Sequence, residues 1–233
     1  MTRMLRGFGV EISSNCTSIT LAGGQALAAQ EVRIPGDISS AAFFVAAAAM
    51  IPGSDLVIRN VGCNPTRDGV IEVLRRMGAS IDLLNERAEA GERVADIHVV
   101  GGRLTGVSVG PELVARTIDE YPILSVAAAL ADGVTTFSDV QELRYKESDR
   151  ISSMAEGLRR LGVGVEERPD GMTIQGGKGL KRATIGSYAD HRVAMSFAIA
   201  GLCSDSGVEI DDAGCVDISF PSFFDLLGKI CLH

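Results

Sequence analysis

The phrase LRRLG at residues 158–162 decides the fold, because related phrases recur at residues 74–78 (LRRMG) and 225–228 (DLLG). Each phrase closes an amphipathic helix pattern that follows a short strand pattern. Each strand in turn follows an Ala-rich helix pattern, and these helices are predicted over residues 39–50, 122–131 and 193–202. Similar patterns that recur at a nearly constant spacing indicate repeated structural units.

Each repeated unit has the order strand–helix–strand–helix–strand–strand. A Gly follows each Ala-rich helix, and the next strands are predicted at residues 56–58, 135–137 and 208–210. β-Hairpins are predicted for the first two units, with residues 80–84 pairing with 97–100 and residues 163–166 pairing with 172–175. Entry strands are predicted at residues 107–109 and 183–185. We therefore predict an α/β (α+β) lobe of repeated βαβαββ units with buried Ala-rich helices.

The N-terminal residues do not belong to these three units. Residues 4–12 resemble the end of a unit's second helix and its next strand, and residues 17–21 complete a hairpin. We therefore interpret residues 1–33 as the remnant of the last unit of a missing N-terminal lobe. Residues 34–233 are then a C-terminal lobe of three repeated units. The alternative is an unrelated N-terminal helix.

Composition excludes several classes of function. The 233 residues carry a formal net charge of −8, which argues against a general nucleic-acid or anionic-membrane surface. The longest apolar runs are too short to span a bilayer, and we expect no signal peptide, because no basic segment followed by an apolar core stands at the first residues. The five Cys form no CxxC pair and the three His have no metal-type spacing. We predict a cytoplasmic protein with reduced thiols, no metal and no membrane partner.

The stretch RYKESDR at residues 144–150 carries five charged side chains in seven positions, immediately before a helix pattern. Ser148 is the predicted N-cap of that helix. A helix N-terminus attracts anions through its free N–H groups, and Lys146, Glu147 and Arg150 share a face if the helix begins early enough. The alternative is a solvated, well-capped helix start.

An Asp stands before each Ala-rich helix, at Asp37, Asp119 and Asp190. If the units are related by pseudo-symmetry, the three helix N-termini meet at one end of the lobe. The simplest role for each Asp is an N-cap, which we favour for Asp37 and Asp119. Asp190 is followed by His191 and Arg192, a combination that can bind an anion and move a proton. A structural hydrogen bond is the alternative for His191.

These phrases together resemble the enolpyruvyltransferase family. The resemblance is carried by RYKESDRI at 144–151, IDEYP at 118–122, DHRVAM at 190–195, PGD with SSAA at 35–42, and SFP at 219–221, in family order along essentially the whole chain. It implies an inside-out, barrel-like lobe of three βαβαββ units with buried parallel helices. Within the family, the phrases are most similar to the branch that acts on shikimate-3-phosphate in aromatic amino acid biosynthesis.

The resemblance also implies a reaction and a set of site residues. Shikimate-3-phosphate and phosphoenolpyruvate (PEP) would be the substrates, phosphate would be released, and no metal or organic cofactor would be needed. Catalytic roles would fall to Asp119, near the hydroxyl, and Glu147, as proton donor to the methylene. Substrate binding would fall to Lys146, on the shikimate side, and to Arg150, His191 and Arg192, around PEP.

One departure and two alternatives accompany the resemblance. Some family members carry a Lys that contacts PEP just before the Ser/Thr-Phe-Pro phrase, where this chain has Ile218. The IDEYP variant looks more like a second subclass of that branch. The alternative functions are the sibling UDP-N-acetylglucosamine enolpyruvyltransferase and a non-catalytic module of the same fold. Because the other lobe's contacts are absent from this sequence, we expect the chain alone to be inactive.

Overall fold

The structure, a computed structural model, describes residues 2–15, 17–204 and 207–231. Cys16 and His233 therefore lie outside the described residues. The N-terminal segment forms helix α1 (Thr2–Gly7) and the antiparallel strands β1 (Ile12–Ser14) and β2 (Ile19–Leu21). The predicted helix end and hairpin are confirmed here, whereas their assignment to another lobe stays a prediction.

The first unit contains two helices and a three-stranded sheet. Its elements are α2 (Ile38–Met50), β3 (Asp55–Gly62), α3 (Gly69–Arg76), β4 (Ser80–Glu89) and β5 (Glu92–Val100). The strands pair antiparallel in the order β3-β5-β4. The predicted hairpin is confirmed, and its strands extend several residues further than the sequence pattern indicated.

The second unit repeats this plan with its entry strand in place. Its elements are β6 (Ser108–Val109), α4 (Pro111–Thr117), α5 (Tyr121–Leu130), β7 (Val134–Phe137), a 3-10 turn (Gln141–Tyr145), α6 (Arg150–Arg160), β8 (Gly164–Arg168) and β9 (Gly171–Gln175). The sheet order is β6-β7-β9-β8. The entry strand β6 pairs parallel with β7, and the hairpin strands are antiparallel.

The third unit has an entry strand and two helices. Its elements are β10 (Ala183–Ile185), α7 (His191–Leu202), β11 (Val208–Ile210), a 3-10 turn (Gly214–Ile218) and α8 (Phe223–Ile230). Strands β10 and β11 pair in parallel, as β6 and β7 do.

The Ala-rich helices α2, α5 and α7 lie in the interior and contact one another. Twelve of the thirteen residues of α2 are buried, so this helix is apolar on every side, as a helix inside a core must be. Met50 and Leu130 line one cavity at the C-terminal ends of α2 and α5, and Ile51 and Leu202 line a second cavity at the C-terminal ends of α2 and α7. The N-termini of the three helices therefore face the opposite end of the lobe. This arrangement confirms the predicted α/β fold with buried helices.

The amphipathic helices α3 and α6 pack their apolar faces against these central helices and complete the core. Arg159 and Arg160 occupy the last turn of α6, as predicted. No helix in the described part of the chain has the length and apolar character that crossing a bilayer requires.

Candidate active site

The RYKESDR stretch forms the end of a 3-10 turn and the start of α6. Asp149, and not the predicted Ser148, caps this helix by accepting a hydrogen bond from the Ser152 N–H at 3.1 Å. Ser148 instead donates its hydroxyl to an oxygen of Asp190 at 3.0 Å. The prediction of Ser148 as N-cap is therefore wrong, because the next residue is better placed and Ser148 is used to tie α6 to α7.

Arg150 is the centre of the site, and its side chain is only 1% exposed. Its Nε lies 2.8 Å from Oδ2 of Asp190, and its Nη2 lies 2.6 Å from Oε2 of Glu147. Its Nη1 lies 3.6 Å from Oδ1 of Asp119 and has no hydrogen-bond partner within the described residues. One guanidinium therefore touches three carboxylates and keeps one N–H group unsatisfied.

Asp190 joins two of the helix N-termini. Its carboxylate caps α7 by accepting bonds from the Arg192 and Val193 N–H groups, while it also pairs with Arg150. Burial by itself would raise the pKa of Asp190, but the Arg150 guanidinium and the capping hydrogen bonds hold that pKa below its usual value. Asp190 is thus ionised and fully buried.

Asp119 does not cap α5, so that prediction is wrong. The N-cap position is Glu120, which makes no capping bond. The Asp119 carboxylate instead faces three cations, at 3.9 Å from Lys146, 3.6 Å from Arg150 and 3.8 Å from Arg192. An Asp that is released from helix capping and surrounded by cations is available for chemistry.

The neighbouring imidazole belongs to the same end of the lobe. His191 is the first residue of α7 and is buried. Its burial and the adjacent Arg192 both lower its pKa, so the ring is neutral at pH 7. A neutral His can donate one hydrogen bond and accept another.

The N-terminus of α2 completes the arrangement. Asp37 caps this helix by accepting a bond from the Ser40 N–H at 3.0 Å, as predicted. Arg67 reaches Asp37 at 3.2 Å and the Ser39 hydroxyl at 3.0 Å. All three Ala-rich helices thus present polar side chains at one end of the lobe, which the sequence predicted from the repeat.

The six predicted site residues are Asp119, Lys146, Glu147, Arg150, His191 and Arg192. The structure brings the charged ones into direct contact in one cluster, with His191 between Asp190 and Arg192 in the chain. We call the ion-paired group around Arg150 and Arg192 the Asp119–Arg150 cluster, and its members are Asp119, Glu120, Lys146, Glu147, Arg150, Asp190 and Arg192. Lys146 also pairs at 3.2 Å with Glu142, which is largely exposed and is not counted in the cluster. Asp190 and Glu120 were absent from the predicted site residues.

Comparison with known proteins identifies the family. The profile of EPSP synthase (3-phosphoshikimate 1-carboxyvinyltransferase) matches residues 1–227. The chain belongs to the EPSP synthase family. The curated 3-phosphoshikimate 1-carboxyvinyltransferases of Geobacter metallireducens and Pelobacter propionicus are 48% and 52% identical to it, over 98% and 97% of this chain and 53% of each relative.

Solved structures agree with the family assignment. An EPSP synthase from Acinetobacter baumannii superposes with a TM-score of 0.94 and 42% identity, over 98% of this chain and 53% of that one. The chain thus spans about half the length of the curated relatives it matches. The resemblance to the enolpyruvyltransferases is confirmed, and the alternative of a UDP-N-acetylglucosamine enolpyruvyltransferase is less supported.

Two further features of this EPSP synthase-family chain bear on its chemistry. Ile218 ends a 3-10 turn and its side chain is largely exposed, so an apolar group occupies the position of the expected Lys. Among the described residues, no three or more His, Cys, Asp or Glu side chains are grouped so that they could hold a metal ion.

Proposed function

We propose that this chain forms one wall of the active site of an enzyme that transfers the enolpyruvyl group of PEP to the 5-hydroxyl of shikimate-3-phosphate. The observation that supports the proposal most strongly is the Asp119–Arg150 cluster. It unites residues at or just before the N-terminal ends of α5, α6 and α7, which are distant in sequence but were predicted to share one site. Such convergence of acids and guanidiniums suits a ligand with both a carboxylate and a phosphate.

Arg150 and Arg192 are the proposed PEP ligands. Arg150 is rigidly held by Asp190 but keeps one unsatisfied N–H group at Nη1. Arg192 is partly exposed and donates to the Asp119 carbonyl at 3.2 Å. Because PEP carries its charges at two ends, two guanidiniums on neighbouring helices can each bind one end. Neutral His191 lies beside them as a hydrogen-bonding group, and Lys146 contacts the shikimate side.

The acid–base roles follow from position. Asp119 accepts the proton of the 5-hydroxyl while the hydroxyl oxygen bonds to the enol carbon of PEP. Glu147 donates a proton to the methylene carbon, so that a tetrahedral adduct forms. In the second step the C–O bond to phosphate breaks while the Glu147 carboxylate takes a proton back from the methyl group, which restores the double bond and releases phosphate. Glu147 suits this role because its side chain is 48% exposed while it contacts buried Arg150.

The chain supplies only part of the proposed site. In this proposal, residues 34–233 are the C-terminal lobe, residues 1–33 belong to the last unit of an N-terminal lobe, and that second lobe provides further contacts to both substrates. We also propose a cytoplasmic location for the two-lobed enzyme. The match to about half of each relative supports this organisation.

Phosphate release from shikimate-3-phosphate and PEP tests the proposal. The 233-residue chain alone is expected to show negligible turnover. The same chain joined to the first half of the Geobacter metallireducens relative is expected to turn over, and Asp119→Asn in that hybrid is expected to abolish it. A matched control is Asp82→Asn, at an exposed strand position.

Three results would contradict the proposal. Full turnover by the chain alone would refute the division between two lobes. A folded hybrid that binds both substrates but is inactive would favour a non-catalytic module. Competition by a uridine-diphosphate sugar, without any effect of shikimate-3-phosphate, would favour the sibling enzyme.

A further inference from the structure

Glu120 is a buried acid to which the proposed reaction assigns no role. The residue is only 4% exposed and stands at the N-cap position of α5, but it caps nothing. Its Oε1 is buried and has no hydrogen-bond partner in the described part of the chain. Leaving a buried carboxylate oxygen unsatisfied is costly, so its place next to Asp119 calls for a physical reason.

The surroundings of Glu120 contain one close cation. Nη1 of Arg192, on α7, lies 3.8 Å from Oε1, which is within ion-pair distance but too long for a hydrogen bond. The other polar groups that face Glu120 are Ser39 at the start of α2, Arg67 in the loop before α3, and Asp119 on its own segment. The pair with Arg192 is therefore loose, and the same guanidinium also faces Asp119 at 3.8 Å.

The cluster has more carboxylates than cations, so an acid that can become neutral would help it to bind an anion. Four carboxylates in the Asp119–Arg150 cluster face three cations, and His191 is neutral. The carboxylates are those of Asp119, Glu120, Glu147 and Asp190, and the cations are Lys146, Arg150 and Arg192. An anionic substrate that enters next to an excess of carboxylates is repelled unless one of them becomes neutral.

We propose that Glu120 is a positioning residue that takes up a proton from solvent when an anionic substrate binds. Ionised, Glu120 holds Arg192 in the empty site. Protonated, it releases the guanidinium to the substrate and stays behind as a neutral acid beside Ser39. The proton returns to solvent when the product anion leaves. This inference rests on the proposed function, because it requires that Arg192 bind the anion.

The electrostatics of the empty site support this exchange. Burial raises the pKa of Glu120, and the Ser39 hydroxyl and the Arg192 guanidinium oppose that rise. When a substrate takes Arg192 and brings negative charge of its own, the main opposing cation is lost and the pKa rises further. Binding is then accompanied by proton uptake, so the affinity for the anion falls as the pH increases through this range.

A side-chain NMR titration tests the proposal. The 233-residue chain, with ¹³C-labelled Glu, is titrated with acid and base in the presence and absence of PEP, and Glu120→Gln identifies the Glu120 signal. We expect PEP to move the Glu120 titration upward by about 1 to 3 pH units. In Arg192→Gln without PEP, Glu120 is expected to titrate already at the higher pH. Glu166→Gln, at an exposed position on β8, is the matched control.

Isothermal calorimetry in buffers of different ionisation enthalpy gives a second measure, namely the number of protons taken up on PEP binding. We expect uptake by the wild-type chain and by Glu166→Gln, and markedly less by Glu120→Gln; any ionisation of the PEP phosphate itself is common to all three. Equal uptake in wild type and Glu120→Gln would overturn the role of Glu120 and leave the proposed function standing. If the chain alone does not respond to PEP, the same measurements are made on the two-lobed hybrid, and the absence of any response to PEP there would overturn both.

Discussion

Asp190→Asn removes one charge from the most deeply buried ion pair of the site while nearly preserving its shape. Asn still caps a helix, so α7 keeps its N-terminal hydrogen bond. The Arg150 side chain, 1% exposed, would lose the carboxylate that lies 2.8 Å from its Nε. Removing one partner of a buried pair costs about 3 to 5 kcal/mol, because the remaining charge stays out of water.

The lower end of that range applies here. Arg150 retains Glu147 at 2.6 Å and Asp119 at 3.6 Å, so its charge is not left without compensation. We therefore expect the free energy of unfolding to fall by about 3 kcal/mol, out of the roughly 5 to 15 kcal/mol that is usual for a folded domain. Urea unfolding at pH 7, followed by circular dichroism, measures this difference. Asp82→Asn is the exposed control.

The pH dependence of the free energy of unfolding gives an independent test that ionised Asp190 stabilises the fold. The pKa of Asp190 is lower in the folded chain than in the unfolded one, where an Asp titrates near about 3.9. The stabilisation of the folded chain by ionised Asp190 is therefore fully present above pH ~4. It is lost as the pH falls through the folded-state pKa of Asp190. The gap between wild type and Asp190→Asn should narrow below pH ~4. A loss under about 0.5 kcal/mol at pH 7, which is typical of surface substitutions, would refute the reasoning.

Four further substitutions test other parts of the structure. Gly157→Ala on α6 should destabilise the fold by about 1 to 3 kcal/mol in urea, because the new Cβ would lie 2.2 Å from the Phe197 ring. Gly228→Ala on α8 meets no atom within 4 Å and should instead stabilise by about 0.5 to 1 kcal/mol. Glu147→Gln in the two-lobed hybrid should lower phosphate release about 10² to 10⁴-fold, and an unchanged rate would exclude it as the acid. The pKa of His191 is lowered by burial and a neighbouring guanidinium, so stability should decline as the pH drops below ~6.5, and His191→Gln should remove that component of the urea-unfolding profile.

The fold could be predicted from the sequence because the patterns that specify its helices and hairpins are local and recur in each unit. Each Ala-rich run, such as residues 39–50, is too uniformly apolar for a surface helix, and each Gly that follows it marks an end. The hairpins followed from alternating patterns and, in the second unit, from the Pro169-Asp170 turn. Because the pattern recurs in three units, an error in one of them can be corrected from the others.

The site could be predicted only as a set of residues. The repeat placed Asp119 and Arg192 at one end of the lobe, but no local pattern distinguishes an Asp that caps a helix from one that faces three cations. The roles of Asp190 and Glu120 depend on side chains more than 35 positions away in the sequence, and such distances are set by tertiary packing. A signal for Glu120 did exist, since an acid directly before the Tyr-Pro start of a wholly apolar helix has little access to water.

The contacts of Arg150 also determine which of its partners a substrate can displace. Asp190 is fully buried and accepts hydrogen bonds from Ser148 and from two backbone N–H groups of α7, so moving it would uncap a helix. Glu147 is about half exposed and makes one bond to Arg150. An anion that approaches Arg150 should therefore replace Glu147 and leave Asp190 in place.

Once displaced, Glu147 is no longer paired with Arg150; its carboxylate can then take up a proton from solvent and pass it to the methylene carbon, so that binding the anion and preparing the acid become one event. A structure of the chain with PEP tests this order. The distance between Arg150 Nη2 and Glu147 Oε2 should lengthen well beyond 2.6 Å, while the distance between Nε and Asp190 Oδ2 stays near 2.8 Å. If Asp190 moved and Glu147 stayed, the buried pair would be the adjustable one, and the assignment of Glu147 as proton donor would lose its structural basis.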